Sequence, residues 1–418
     1  MFKKKLRSLY YRVWKLPQLR YLHNRRIHDI KRRNEAHVVF LCLNIAMWRC
    51  EGVLRLMMAD KRFHCHVIFG TFMNYSVEDT CNSYSSLARH FDSLDISLID
   101  STTAEGMHKA LQLMQQADII FYPQPYGKLF GNKLDNEYYR DRLLCYIPYA
   151  FFTISADWTC NTALHNQAWR LYRESEFHLR EARTMAHNHG ENVVIVGNTK
   201  ADEFAESVRT IDVWKKQQTR KKRLIWAPHF SIEKGTAMSR NSFLWLSELM
   251  PTLAKRYADR IQIAFKPHPK LYSTLCRMKE WGPDRTKDYY NQWDAMENGQ
   301  CELGDYVSLF VHSDAIIHDS GSFTVDYLFT GKPCMFVSSD IEDTKSRLNE
   351  YAAKSLEQYY IGSCTDDVIR FIEDVVIAGD DPLKPNRETY RKEILTPQGG
   401  KHSVAQAIFN DIVQSVFR

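Results

Sequence analysis

Short apolar runs rich in β-branched residues recur along this chain, separated by stretches of helical character, and that alternation limits the fold more than any other feature. HVVFLCL (37 to 43), HCHVIFG (64 to 70), DISLID (95 to 100), ADIIFYP (117 to 123) and LLCYIPYAFF (143 to 152) read as buried strands. After a polar, helical stretch from His165 to His187, ENVVIVG gives another strand ending at Gly197. The pattern restarts with RLIWAP (223 to 228), IQIAFKPHP (261 to 269), AIIHD (315 to 319) and CMFVSS (334 to 339). Helices are expected near 51 to 60, 242 to 257, 305 to 312 and 324 to 330. Strands alternating with helices predict α/β folding with parallel, doubly wound sheets.

At 418 residues the chain exceeds one ordinary core, so two domains are expected. The basic run KKQQTRKKR, at the end of the polar stretch from Ser207 to Arg223, marks the boundary. The division predicted is a basic extension over 1–34, a Rossmann-like domain over 35–206 and a second over 218–418. HSVAQAIFNDIVQSVFR closes the chain; Ser403 as N-cap, with Val404, Ile408, Ile412 and Val416 on one face, predicts an amphipathic helix docked on a lobe.

Charge is unevenly placed. Residues 1–34 hold twelve of the 56 Lys/Arg and one of the 50 Asp/Glu, which leaves the remainder with 44 bases and 49 acids. This segment interleaves its cations with Leu6, Tyr10, Tyr11, Val13, Trp14, Leu16 and Leu19, a pattern suited to an anionic membrane surface. A solvated basic arm and a nucleic-acid contact are the other readings; no nucleic-acid partner is expected. No apolar run approaches the ~20 residues needed to span a bilayer, and no secretory signal follows the basic start, so a cytoplasmic protein, peripheral on the inner face of the membrane, is expected. The ten cysteines include no C-x-x-C pair and read as reduced thiols, and no metal or other cofactor is called for.

In open α/β sheets ligands lie beyond the carboxyl ends of the strands. There WAPHFSIEKG places His229 and Lys234, FKPHPK places Lys266, His268 and Lys270, and HDSGSFTVDY places Asp319, Ser320, Gly321 and Ser322. A helix beginning near Ser322 offers N–H groups to a phosphate, and Asp326 would share its face and hold a polyol or ribose hydroxyl. Ser320 and Ser322 can equally be simple N-caps. His268 stands between Pro267 and Pro269, which fix where its imidazole points; it can bind a diphosphate or protonate a leaving phosphate, or be a buried histidine in a rigid turn. G-x-G-x-x-G, G-x-x-x-x-G-K-[ST], H-E-x-x-H and G-x-S-x-G are all missing, so dinucleotide reduction, P-loop hydrolysis, zinc proteolysis and triad hydrolysis lose their motifs.

Over residues 190 to 340 the sequence resembles the CDP-glycerol glycerophosphotransferases of teichoic-acid and capsule synthesis. GNTKADEF is similar to that family's G-x-P-R-N-D segment, keeping Gly197 and Asp202; WAPHF is similar to its A-P-T-W, and KPHP keeps its H-P as His268 and Pro269. SDAIIHDSGSFTVDY matches S-D-x-x-x-x-D-Y-S-S-x-x-F-D-Y at Ser313, Asp314, Asp319, Ser322, Asp326 and Tyr327. The resemblance implies a GT-B-like arrangement, two Rossmann-like domains facing a central cleft. It also implies transfer of a polyol phosphate from a CDP-activated donor to a hydroxyl of a lipid-linked or saccharide acceptor, with release of CMP. His268, Ser322 and Asp326 are the implied donor contacts. The family's W-H-G-T-P segment, which carries its base, is absent; the corresponding region reads YIPYAFFTISADWTCNTALHNQ and offers His165, Asp157 and Tyr149. That loss leaves two rivals: a nucleotide-sugar glycosyltransferase, and a non-catalytic binding protein on the same fold.

Overall fold

The computed structural model describes residues 6, 8–72, 75–126, 133–206, 211–232, 242–304, 306–321, 323–395 and 403–418. The chain forms two compact units, one built from Met1–Ala150, Ser155–Asp202 and Leu395–Arg418, the other from Phe151–Ile154 and Glu203–Ile394.

The first unit holds seven strands: β1 (Ala36–Cys42), β2 (Phe63–Phe69), β3 (Leu98–Asp100), β4 (Ile119–Tyr122), β5 (Leu143–Tyr146), β6 (Arg170–Arg173) and β7 (Val193–Ile195). Their order is β3-β2-β1-β4-β5-β6-β7, and every pair is parallel. Both faces are covered, which is why HVVFLCL is apolar throughout rather than alternating. Val38, Phe40 and Cys42 enter one core with Phe121, Ile408 and Ile412, while Val39, Leu41 and Leu43 enter the other with Ala110 and Met114.

The second unit holds β8 (Lys222–Ala227), β9 (Ile261–Phe265), β10 (Gly299–Cys301), β11 (Ala315–His318), β12 (Cys334–Val337) and β13 (Tyr360–Gly362). These are also all parallel, in the order β10-β9-β8-β11-β12-β13. Direction reverses between β8 and β11, the point at which doubly wound sheets open a crevice for ligands. One face is filled by packed aromatics: the Trp226 ring lies 5.0 Å from Phe265 and 5.6 Å from Trp293, tilted against both.

Four strands differ from the sequence reading. β6 lies inside the stretch expected to be helical. Its Arg170 and Tyr172 share one face and both donate to Asp411 of the C-terminal helix, at 2.9 and 3.0 Å, so its polar residues find partners that only tertiary structure supplies. β10 and β13 have three residues each, too few for an apolar period to register. β3 is shorter than the run 95 to 100.

The two ends of the chain also depart from the expected division. The C-terminal helix, Val404–Phe417, belongs to the first unit and not to a second domain over 218–418. Val404, Ile408, Ile412 and Val416 are buried there, each contributing about 1.5–3 kcal/mol by leaving water. Ser403 caps this helix by accepting from the Gln406 N–H at 3.1 Å, and the Asp202 carboxylate accepts the N–H groups of Val404 and Ala405, both at 2.8 Å.

The basic segment is likewise not a separate extension over its whole length. The helix Leu16–Arg33 buries Leu16, Leu19, His23 and Ile30 in the first unit. Arg33 and Arg26 donate to the fully buried Asp118 at 2.7 and 3.3 Å, and the His37 N–H adds a third bond at 3.0 Å. Two of the cations therefore neutralise an interior carboxylate. Leu6, Leu9, Tyr10, Val13, Trp14 and Tyr21 remain exposed. Among the described residues no helix is long and apolar enough to cross a membrane.

Candidate functional site

In the second unit the loops after β8, β9 and β11 meet at the carboxyl edge of the sheet. Asp319, one residue beyond β11, is fully buried and accepts the His229 N–H at 2.6 Å and the Ser242 hydroxyl. That carboxylate stitches the β8 and β11 loops together across the crossover. The His268 N–H donates to the Pro228 carbonyl at 3.0 Å, which adds the β9 loop to the same corner. As a result the rings of His229 and His268 stand 4.9 Å apart edge to face, and Phe230 lies 4.5 Å from each.

His268 has its Nδ1 occupied by the Lys270 N–H at 3.1 Å, so in the neutral ring the proton sits on Nε2. Burial, with help from the Lys270 charge, pulls its pKa down to about 4. At neutral pH it is therefore an uncharged hydrogen-bond donor held by two prolines. Beside it opens a cavity of about 380 Å³, lined by Phe230, Ser231, Ile232, Lys270, Ser273, Thr274 and Arg277. Two cations, three hydroxyls and an aromatic face suit a phosphorylated ligand with a ring to stack.

The remaining predicted donor contacts are placed as follows. Lys266 is buried and its Nζ donates to the Gly304 carbonyl at 2.6 Å. The N–H of Ser320 donates to His318 Nδ1 at 3.1 Å and its carbonyl accepts the Thr324 hydroxyl, while the Gly321 carbonyl accepts the Thr324 N–H at 3.3 Å. Asp326 is buried and accepts the Tyr306 hydroxyl at 2.7 Å. The helix expected over 324 to 330 is one turn, Phe323–Asp326, continued by the 3₁₀ turn Tyr327–Thr330, so it is too short to carry the dipole argument made from sequence. Ser322 and Lys234 lie outside the described residues.

His165 belongs to the first unit. It sits in the short helix Ala163–Gln167, buried, with Nδ1 accepting the Thr162 N–H at 3.3 Å. Burial, then the Arg173 guanidinium, lowers its pKa to about 3. Tyr149 lies with its hydroxyl 3.4 Å from that of Tyr126, and Asp157 is exposed at the start of the short helix Asp157–Cys160. Sequence reasoning missed the residues around His165. Arg173 ends β6, and Glu174, next in the chain, is equally buried; Arg173 Nε and Glu174 Oε2 are 3.4 Å apart, close enough to pair but without hydrogen-bond geometry. Two adjacent opposite charges following LY were the available signal, hidden by a reading of the whole stretch as a polar helix.

No family model matches the chain and no curated protein matches its sequence. Solved structures do match, and they define the class: this is a GT-B-like fold, two parallel-sheet α/β domains of seven and six strands. The wall teichoic acid polymerase TagF is 14% identical over 99% of this chain and 97% of its own, with a TM-score of 0.57. The Neisseria meningitidis UDP-GlcNAc 2-epimerase, solved bound to UDP-GlcNAc, is 14% identical over 90% of this chain and 100% of its own, with a TM-score of 0.58. MnaA of S. aureus, solved with UDP, gives 14%, 91%, 96% and 0.55. At these identities the likeness is one of fold.

Proposed function

We propose that the chain is a transferase that uses a nucleotide-diphosphate donor, moving a polyol phosphate from a CDP-activated carrier to a hydroxyl of a lipid-linked or saccharide acceptor and releasing CMP. The observation that carries this reading is the corner of the second unit where Asp319 ties the β8 and β11 loops and presents His229 and His268 beside a basic, hydroxyl-lined cavity. Such a corner, at the crossover of a doubly wound sheet, is where a diphosphate is held. His268 Nε2–H donates to a phosphate oxygen as charge builds on the leaving group, and Lys270 and Arg277 offset the donor's charge. The likeness in fold to TagF and the motif order over 190 to 340 support the polyol-phosphate donor.

A second reading, an enzyme acting on a nucleotide sugar, is favoured by the absent W-H-G-T-P segment and by the fold likeness to UDP-GlcNAc 2-epimerases. Product analysis decides between them. The full chain incubated with CDP-glycerol or CDP-ribitol and a glycerol-phosphate-primed acceptor is expected to release CMP. Release of a nucleoside diphosphate from a nucleotide sugar, or conversion of the sugar without release, would replace the first reading by the second.

In the same reading the exposed row Leu6, Leu9, Tyr10, Val13, Trp14 and Tyr21, flanked by the cations of 1–34, lies on an anionic membrane surface near the acceptor lipid. Sedimentation with phosphatidylglycerol vesicles at low salt, reduced by Trp14→Glu, is expected; equal sedimentation with neutral phosphatidylcholine vesicles would remove the charge argument.

A further inference from the structure

The first unit contains a group of buried polar atoms that make no hydrogen bond. They are the Tyr146 hydroxyl at the end of β5, the Arg173 Nε and Nη2 at the end of β6, both carboxylate oxygens of Glu174, and His165 Nε2; Glu174 Oε2 lies 3.4 Å from both Arg173 Nε and His178 Nδ1, contacts without hydrogen-bond geometry. All four side chains are at least nine-tenths buried. They share one electrostatic neighbourhood: Tyr146 feels both Arg173 and Glu174, and His165 feels Arg173. The Tyr146 and His165 rings meet edge to face at 5.7 Å. Buried polar groups in native proteins are almost always paired, so a cluster this dense at the carboxyl ends of parallel strands marks a place that an occupant completes.

The chemistry of the set selects the occupant. Nε and Nη2 form the side-on edge of the guanidinium, which offers two parallel N–H donors. Because the Thr162 N–H bonds Nδ1 of His165, the neutral ring carries its proton on Nε2 and is a third donor, and Tyr146 is a fourth. Glu174 only accepts. An anion would satisfy the donors and face the carboxylate; a cation would do the reverse. A hydroxyl both donates and accepts, and a polyol or saccharide carries several.

We infer that the ends of β5 and β6 form the subsite for the acceptor's hydroxyl group, with Glu174 receiving its proton, in place of the absent family base. This rests on the transferase reading above. Burial raises the Glu174 carboxyl above its usual range, with Arg173 and the residue's own backbone N–H, which lies near without bonding geometry, pulling the other way. A base raised in this way takes a proton more readily than a solvated carboxylate. In the step, the acceptor O–H bond breaks as the proton passes to a Glu174 oxygen. The acceptor oxygen bonds the donor's β-phosphorus, the bridging P–O bond breaks, and its electron pair leaves with CMP. Glu174 then returns the proton to solvent.

Thermal unfolding and transfer by the full chain test this with Tyr146→Phe and Glu174→Gln. Tyr146→Phe removes an unbonded hydroxyl and is expected to unfold at the wild-type temperature or a few degrees above it, whereas Glu174→Gln takes the counter-charge from the buried Arg173 and is expected to unfold below wild type while remaining folded. Glycerol, ribitol or N-acetylglucosamine, each at millimolar concentration where general osmolyte effects are small, is expected to raise the wild-type midpoint and leave both variants unmoved. Glu174→Gln is expected to bind CDP-glycerol as the wild type does and to transfer at least about 100-fold more slowly. Unfolding of Tyr146→Phe several degrees below wild type, a midpoint that no probe moves selectively, or undiminished transfer by Glu174→Gln would overturn the inference. Failure of the wild type to bind CDP-glycerol would instead remove the transferase reading and leave the result with the polyol and sugar probes standing.

Discussion

The two units are built to one plan, a parallel sheet whose strand order reverses near its middle, yet they differ in how the polar side chains at their strand ends are tied. In the second unit Asp319, Asp326 and Lys266 each have a partner from a neighbouring loop, and His268 Nδ1 accepts the Lys270 N–H of its own loop. In the first, Tyr146, His165, Arg173 and Glu174 keep buried atoms that make no hydrogen bond. A site whose side chains are already tied can hold a ligand without rearranging, and a site with unspent polarity gains stability only when occupied. The contrast fits a donor pocket formed in advance and an acceptor subsite that its ligand completes.

Acid should separate the units most. Burial lowers the pKa of His23 to about 4 and of His165 to about 3, and that of His178 well below normal, all in the first unit; the second has His268 at about 4. Each folded pKa is depressed, so the unfolded chain takes up protons first. The stability these neutral rings contribute is present above about pH 6.5 and is lost as pH falls toward the folded values. At pH 5 His23 and His165 each cost the first unit about 2 kcal/mol, with His178 acting in the same direction, while His268 costs the second about 2 kcal/mol in total. Between pH 7 and 5, hydrogen-exchange protection, corrected for the slower intrinsic exchange of amides in acid, should therefore fall through β1, β5 and β6 before β8 and β11. Equal loss of protection in both units would break the comparison.

Asp319→Ala should come next, at about 3–5 kcal/mol, because it strips a buried acceptor from the His229 N–H and the Ser242 hydroxyl. Denaturant unfolding measures this loss, and donor affinity should fall with it because the β8 and β11 loops are no longer stitched. A loss under about 1 kcal/mol would mean that the corner is not held by this carboxylate. The smallest effect sharpens the picture of the first unit. Asp202→Ala removes the cap on Val404 and Ala405 and should cost about 1–2 kcal/mol, with exchange increased in the C-terminal helix and in β6, which bonds it through Asp411. Increased exchange in β12 or β13 instead would place that helix with the wrong unit.

How far the sequence disclosed all this depends on whether the information was local. HVVFLCL, RLIWAP and AIIHD are apolar because both faces of a parallel sheet are covered, so they read directly as β1, β8 and β11. The loops after β8, β9 and β11 were legible for the same reason, since they begin where the apolar runs stop. RLYR was not legible as β6, because its Arg170 and Tyr172 are satisfied by Asp411, 239 residues further on for Tyr172. With β6 unread, the adjacency of Arg173 and Glu174 at a strand end was invisible too. The basic segment misled in a related way. Its charge suggested an arm, but Arg26 and Arg33 answer Asp118, 92 and 85 residues away.

The most direct test of the account is a binding titration of CDP-glycerol against the wild-type chain, His268→Ala and Glu174→Gln. The account predicts at least about tenfold weaker binding by His268→Ala, the loss of one hydrogen bond to a charged group, and an unchanged constant for Glu174→Gln. Unchanged binding by His268→Ala would contradict the assignment of the donor to the second unit.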